Sequence, residues 1–190
     1  MLDENARIEA IAGHYREIIA LLGEDPNREG LVKTPMRAAK AMWHATCGYR
    51  QDPGAILRQA IFEYAGSRMV VVKDIEFYSL CEHHILPFFG TVDVGYIPSG
   101  SMIGLSKLAR LVDAIARKLQ VQERMTADIC NQLQTILAPK GVIVNCRAQH
   151  LCMQMRGVEK QQSVTHTYEY SGIFADNAAL RQEFFAMTGA

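Results

Sequence analysis

The sequence predicts an α+β fold preceded by a helical extension. Four apolar stretches typical of strands and two with helical spacing follow one another in the order strand, strand, helix, helix, strand, strand. The 190 residues are 49% hydrophobic and 21% charged, a composition that suits a soluble chain able to bury one core. We therefore divide the chain into an N-terminal helical extension at 1–66 and a core domain at 67–190.

The extension is predicted from two helical patterns. Isoleucine, leucine and tyrosine recur at helical spacing over 7–22, and Gly23 follows as a C-cap. A second helix is predicted over 34–46, with Thr34 as its N-cap and a proline in its first turn. Proline and glycine interrupt 48–67, so we expect that segment to be irregular.

The core is predicted from runs of strand and helix formers. Two helices, over 105–119 and 125–137, are expected between the second and third strands, and a short helix over 177–187 ends the chain. The four strands are predicted at 69–78, 88–97, 142–155 and 164–170.

Charge and cysteine content narrow the class of protein. The formal net charge is zero, so nothing global favours nucleic acid or an anionic membrane as a partner. The N-terminus is acidic and polar, unlike a signal peptide, and no apolar run approaches the ~20 residues that span a bilayer. Five cysteines, an odd number, favour reduced thiols in the cytoplasm. We interpret Cys47, Cys130 and Cys146 as buried or half-buried residues.

Two clusters of soft ligands predict a metal site. Cys81, His83 and His84 share one four-residue stretch, and His150 and Cys152 stand two apart in a predicted strand, on one face of it. Zinc favours these donors, and catalytic zinc keeps three protein ligands and a water whose pKa falls to about 7. We expect Cys81, one tandem histidine and Cys152 as ligands, with the other histidines carrying protons. Buried core residues or a closed four-ligand structural zinc are the alternatives, and spacing does not separate them.

Several other residues are candidates for binding an anion or a base. Ser106 and Lys107 open a predicted helix, where backbone N–H groups attract anions, and Arg110 follows on the same face. A solvated basic face is the plainer interpretation, as it is for Arg156. Glu123 is either a helix N-terminal charge or a carboxylate that accepts paired N–H donors such as those of guanine.

The motifs together resemble the GTP cyclohydrolase I family. They follow the family's order along nearly the whole chain, and the matching segments are Arg28-Glu-Gly30 with Thr34-Pro35, Leu80-Cys-Glu-His-His84, Gly104-Leu-Ser-Lys107, Gln120-Val-Gln-Glu-Arg124 and His150-Leu-Cys-Met-Gln-Met-Arg-Gly-Val158.

The resemblance implies a reaction and a ligand set. The reaction is the hydrolysis of GTP to formate and 7,8-dihydroneopterin triphosphate, the first step of tetrahydrofolate and pterin synthesis. Zinc is implied on Cys81, His84 and Cys152, and His83 and His150 are implied as proton carriers. The activated water attacks C8 of the purine, and protonation of N7 makes C8 electrophilic.

The resemblance also implies the residues that bind substrate. Glu123 with Gln122 is expected to anchor the guanine, and Arg37 and Lys40, otherwise a solvated surface pair, become further candidates for the phosphates. The residues expected to hold the triphosphate and ribose are Ser106, Lys107, Arg110 and Arg156.

The family fold is the tunnelling fold, a four-stranded antiparallel sheet that carries two helices and assembles into pentamers and then decamers. Its sites lie between subunits, so a monomer is expected to be inactive. The chain departs from the family pattern at Thr165-His-Thr-Tyr168, where His166 and Tyr168 are bulkier residues than usual. We favour neutral drift there, with His166 as a metal or proton ligand as the alternative.

Two other functions compete with this interpretation. One is another enzyme on the same fold, such as a nitrile reductase with a cysteine nucleophile and a nicotinamide cofactor. The two cysteines flanked by three histidines argue against it. The other is a non-catalytic paralogue that binds purine nucleotides around a structural zinc.

Overall fold

Residues 3–189 are described by the computed structural model, and the chain forms two units that meet in sequence between Cys47 and Gly48. The first unit is a pair of helices, α1 (Glu4–Leu21) and α2 (Thr34–Ala45). The side chain of Asp3 accepts from the N–H of Ala6 at 2.8 Å and so caps α1. Thr34 is the first helical residue of α2 instead of its N-cap, because the turn before it is already wound.

The segment after the first unit contains regular structure that the sequence analysis did not predict. A 3₁₀ turn (Cys47–Arg50) leads to α3 (Pro53–Arg58) and to β1 (Ile61–Tyr64). Asp52 accepts from the N–H of Ala55 at 3.1 Å, and a proline occupies the first turn. The expectation of an irregular segment was therefore wrong, because aspartate and proline here start a helix instead of breaking one.

The main sheet has five strands in the order β5-β2-β3-β6-β7. Its four long strands are antiparallel, as the family resemblance implied, and are β2 (Val70–Cys81), β3 (Pro87–Ile97), β6 (Gly141–His150) and β7 (Thr165–Gly172). The fifth, β5 (Leu119–Gln120), is parallel to the end of β2 and was not predicted. A separate ribbon pairs β1 with β4 (Gly100–Ile103).

Helices cover both faces of this sheet. The helices α4 (Leu105–Ala116) and α5 (Gln122–Leu137) pack on one face, in a core that includes Phe77, Phe88, Val92, Leu111 and Met125. The terminal helix α8 (Ala178–Thr188), which follows the short α7 (Ile173–Asp176), packs on the other face through Phe184, which is fully buried against Ile143. The two cores follow from the alternation of strand side chains, since Val142 and Val144 belong to the first core and Ile143 to the second.

The strand predicted over 142–155 ends at His150. A short helix, α6 (Leu151–Gln154), follows at once, so Cys152 lies in a helical turn and the same-face argument for His150 and Cys152 was wrong. Among residues 3–189, no helix combines the length and apolar character needed to cross a bilayer.

Candidate active site

Three segments that are distant in sequence meet at one end of the sheet. The parallel pairing of β5 with β2 sets Gln120 beside Cys81, and the N–H of Glu82 donates to the Gln120 carbonyl at 3.0 Å. The antiparallel pairing of β3 with β6 sets His150 opposite Phe88. Strand register therefore brings the loop after β2, the start of α5 and the β6–α6 junction together.

A tight turn shapes the loop after β2. The N–H of Ile85 donates to the Cys81 carbonyl at 2.8 Å, and the Cys81 N–H donates to the Leu86 carbonyl at 2.8 Å. Ile85 has φ +55°, a left-handed conformation that costs on the order of 1–3 kcal/mol for a residue with a Cβ. This turn curls His84 back over Cys81.

Three soft ligands converge there. The ligand atoms of Cys81, His84 and Cys152 lie within 4.8 Å of one another, and Cys81 Sγ is 3.8 Å from His84 Nδ1. Tetrahedral zinc at about 2.3 Å from sulfur and 2.0–2.1 Å from nitrogen holds its ligand atoms roughly 3.5–3.8 Å apart. The group has three members among the described residues, so its donor set and spacing fit a zinc with one open position. His83, exposed beside it, is the tandem histidine left outside the group.

The electrostatics of the cluster favour a cation. Burial raises the pKa of the Cys152 thiol, and the neighbouring Cys81 raises it further. Two thiolates this close repel one another, so a bound cation offsets the cost and displaces their protons. Burial is also the main cause that raises the pKa of Cys130 to about 11 and of Cys146 to about 12, and both are core residues, as predicted.

His150 is held between a ring and a carboxamide. It stacks on Phe88 with ring centroids 4.6 Å apart and an interplanar angle of 3°, and its Nε2 lies 2.8 Å from Gln122 Oε1. Burial lowers the pKa of His150, and the negative charge of Glu123 offsets part of that shift. The ring is therefore largely neutral at pH 7 and able to accept a proton.

One cavity of about 240 Å³ joins these groups. The predicted residues that line it are Cys81, His83, His84, Gln122, Glu123, His150 and Cys152. Glu123 is exposed at the start of α5, whereas Gln122 is buried and every polar atom of its carboxamide contacts protein.

The candidates for phosphate binding on α4 do not line this cavity. Ser106, Lys107 and Arg110 are on α4 and do not line this cavity, and Lys107 Nζ donates to Gln59 Oε1 at 2.8 Å. Arg156 is close, with its NH1 2.8 Å from His84 Nε2. Within one described chain, the cavity thus combines the three candidate metal ligands with further histidines and a carboxylate, but it lacks the α4 cations.

The two remaining predicted cations are on α2. Arg37 and Lys40 are both exposed on that helix of the first unit. The departure from the family pattern is on β7: His166 is exposed and does not line the cavity, while Tyr168 stacks on Tyr170 with centroids 6.1 Å apart.

One ion pair beside the cluster was not predicted from the sequence. The guanidinium of Arg124 pairs with the Glu82 carboxylate and donates to Gln120 Oε1 at 3.0 Å. This ion pair lowers the pKa of Glu82 and ties the metal-ligand loop to the start of α5. The sequence signals that could have predicted this ion pair are an acidic residue, Glu82, between Cys81 and His84, and a basic residue, Arg124, at the end of the Gln120–Arg124 motif.

Comparison with known proteins identifies a family. The model of the family described as GTP cyclohydrolase I matches residues 11–189. A protein of Porphyromonas gingivalis named GTP cyclohydrolase 1 is 57% identical over 93% of this chain and 91% of its own length. One of Pseudomonas aeruginosa, named GTP cyclohydrolase 1 1, is 51% identical over 95% and 97%. A solved structure of the archaeosine synthase QueF-Like, in the apo form, covers 57% of this chain and 97% of its own, with 19% identity and a TM-score of 0.46.

Proposed function

The chain belongs to the GTP cyclohydrolase I family and has GTP cyclohydrolase activity in pterin and folate synthesis, and we propose how its residues divide that work. The reaction is the hydrolysis of GTP to formate and 7,8-dihydroneopterin triphosphate. The observation that carries the proposal is the three-ligand group of Cys81, His84 and Cys152, which shares one cavity with two further histidines and a carboxylate.

Zinc is the proposed metal, held by that group. Two thiolates and an imidazole are donors that zinc favours, and three protein ligands are typical of a catalytic site. When bound, zinc supplies Lewis-acid activation of a water, whose pKa falls to about 7, for addition to C8 of the purine.

Arg156 links metal binding to substrate binding in this proposal. A guanidinium can only donate, so His84 Nε2 accepts from Arg156 NH1 at 2.8 Å, while His84 Nδ1 faces Cys81. A metal ligated by Nδ1 would leave the ring proton on Nε2, which could then no longer accept from Arg156. The guanidinium would thereby become available to a phosphate of the substrate.

Protein side chains orient the base and move its protons. The Glu123 carboxylate, at the rim of the cavity, accepts from N1–H and the 2-amino group of guanine. His150 and His83 carry protons, one of them to N7, which makes C8 electrophilic. Ring opening, loss of C8 as formate, rearrangement of the sugar and re-closure complete the reaction.

The triphosphate site is proposed to lie between subunits. Ser106, Lys107 and Arg110 would reach the cavity of a neighbouring copy, since they do not line the cavity of their own chain. Among the residues that the structure describes, the long strand β7 pairs only with β6, and a second copy would cover its open edge. We propose residues 67–190 as a catalytic domain of the tunnelling fold that assembles as a decamer of two pentamers.

The compartment follows from the ligand chemistry. Thiolates bind a metal only while they are reduced, and all five cysteines are free. We therefore propose that the enzyme acts in the cytoplasm, where its product enters tetrahydrofolate and one-carbon metabolism.

Metal content and turnover, measured on the same variants, test this assignment. Cys152→Ala and His84→Ala are expected to lose zinc and GTP-dependent formate release together. Cys47→Ala, the same change at a half-buried cysteine outside the cavity, is expected to keep both. If Cys152→Ala keeps its zinc and full turnover, the ligand assignment is wrong.

A further inference from the structure

Gln122 occupies an unusual position for a residue expected to touch substrate. Only 2% of its surface is exposed. Its Nε2 lies 3.2 Å from the Cys146 carbonyl, 3.1 Å from the Thr165 carbonyl and 3.1 Å from Thr167 Oγ1. Its Oε1 lies 2.8 Å from His150 Nε2. The carboxamide therefore sits between two strands of the sheet on one side and the histidine ring on the other.

Donor and acceptor chemistry decides which way this carboxamide points. Backbone carbonyls only accept, so the atom that faces Cys146 and Thr165 is the NH₂ group. The carboxamide oxygen is then the atom that faces His150. An oxygen of this kind only accepts, and His150 Nε2 must carry a hydrogen.

A chain of hydroxyls leads independently to the same orientation. Thr126 Oγ1 donates its one hydrogen to the Gln122 backbone carbonyl at 2.8 Å. Thr167 Oγ1, 2.7 Å from Thr126 Oγ1, must then donate to it, which leaves Thr167 as an acceptor from Gln122 Nε2. No flipped carboxamide satisfies all of these partners.

We propose that Gln122 is a positioning residue that holds His150 as its Nε2–H tautomer, so that His150 exchanges protons with bound substrate through Nδ1. The stacking on Phe88 fixes the plane of the ring, and Gln122 fixes its rotation within that plane. Any proton that His150 passes to or from bound substrate then travels through Nδ1, while the hydrogen on Nε2 stays hydrogen-bonded to Gln122 Oε1. Gln122 neither gains nor loses a proton.

This role differs from anchoring the base. To bind guanine, the Gln122 side chain would have to leave two backbone carbonyls, a threonine and His150 without their partner in a buried place. Glu123, exposed in the same cavity, is free to accept from the base without such a loss. The identity of the substrate rests on the proposed function, whereas the tautomer is a property of the protein alone.

The tautomer can be measured directly. The full-length, zinc-loaded protein is labelled with ¹⁵N-histidine, sedimented and studied by magic-angle-spinning NMR at about pH 8, where histidine is neutral. His150 is assigned from its absence in His150→Asn. The expected spectrum shows a protonated Nε2 and a bare Nδ1 for His150. A protonated Nδ1 in the wild-type protein would overturn the proposal without any variant at Gln122.

A pair of matched variants tests the cause. Gln122→Met is expected to give a mixture of His150 tautomers and to lower kcat about tenfold or more, with KM for GTP changed less than twofold. Gln134→Met is the control, because Gln134 is on the same helix and bonds the Pro139 carbonyl and Ser171 far from His150. An unchanged tautomer with a raised KM in Gln122→Met would show instead that Gln122 binds the base.

A second variant and the wild-type spectrum separate a failure to fold and a failure of the proposed function from a failure of this proposal. If Gln122→Met does not fold, Thr167→Val removes one acceptor of its NH₂ group and is expected to shift the tautomer ratio in the same direction. A wild-type protein that never turns over GTP would overturn the proposed function. The spectra would still decide whether Gln122 sets the tautomer.

Discussion

Mixing two inactive variants tests whether one site takes residues from two subunits. Cys152→Ala removes a proposed metal ligand from the cavity, and Lys107→Ala removes a cation on α4, which does not line the cavity of its own chain. If a site combines the cavity of one subunit with α4 of its neighbour, each variant alone is expected to be nearly inactive. A mixed ring contains some interfaces with both parts intact.

The size of the rescue follows from counting interfaces. With equal amounts and random mixing, half of the cavities carry Cys152 and half of the neighbouring helices carry Lys107. About one quarter of the sites are then complete, and turnover is expected to reach roughly 25% of wild type. The two variants are unfolded together in denaturant, refolded with zinc, and assayed for formate release from GTP.

Two controls calibrate the turnover of the mixture. Each variant refolded alone gives the background turnover. The control mixture combines Cys152→Ala with Lys33→Ala, a change at an exposed lysine in the first unit. Half of its cavities carry Cys152 and all of its α4 helices are intact, so its turnover is expected to be about one half of wild type. A Lys107→Ala mixture that stays at the background of its parents would show that no site is shared between subunits in this way.

Three further predictions concern the histidines and the core. His150→Ala is expected to lower kcat by about 10²–10⁴-fold, whereas His166→Ala leaves turnover largely intact; a similar loss in both, in steady-state assays, would make His166 part of the site. The free energy of unfolding is expected to fall above pH 9, because the unfolded thiol ionises there while burial holds the pKa of Cys146 at about 12. The stability that the protonated Cys146 thiol contributes is fully present below pH 9 and is lost as pH rises to about 12, at about 1.4 kcal/mol per pH unit. Cys146→Ala should therefore show a shallower decline of the free energy of unfolding with pH in urea titrations. An equal slope in both proteins would contradict the raised pKa of Cys146. Phe184→Ala is expected to cost about 3–5 kcal/mol in urea denaturation, and Phe62→Ala, at a half-exposed ring, less than about 1; equal costs would refute the packing described for α8.

Periodicity in the sequence was enough to predict the order of the main strands and helices. The strands with β-branched alternation and the two helices with 3.6-residue spacing are present with ends shifted by a few residues. The two-residue strand β5 is too short to carry any period. Proline in the segment 48–67 predicts an interruption, but proline also occupies the first turn of helices, and only the chain after it decides which.

The site was predictable as a set of residue types more than as a geometry. The cysteines and histidines signalled a metal, but their spacing could not show which tandem histidine joins Cys81 and Cys152, because the turn closed by the Ile85 N–H places them. The role of Gln122 was hidden for another reason. Its partners lie 24 to 45 residues away, on strands whose register no local pattern reveals.

The most direct test of a metal-dependent GTP cyclohydrolase is GTP-dependent release of formate by the purified protein, followed together with the fluorescence of the oxidised neopterin product. The same sample is assayed as purified, after removal of metal with a chelator, and after zinc is restored. We expect turnover, its loss and its return. A protein that holds zinc and assembles yet releases no formate, or one that works equally well without metal, would contradict this account.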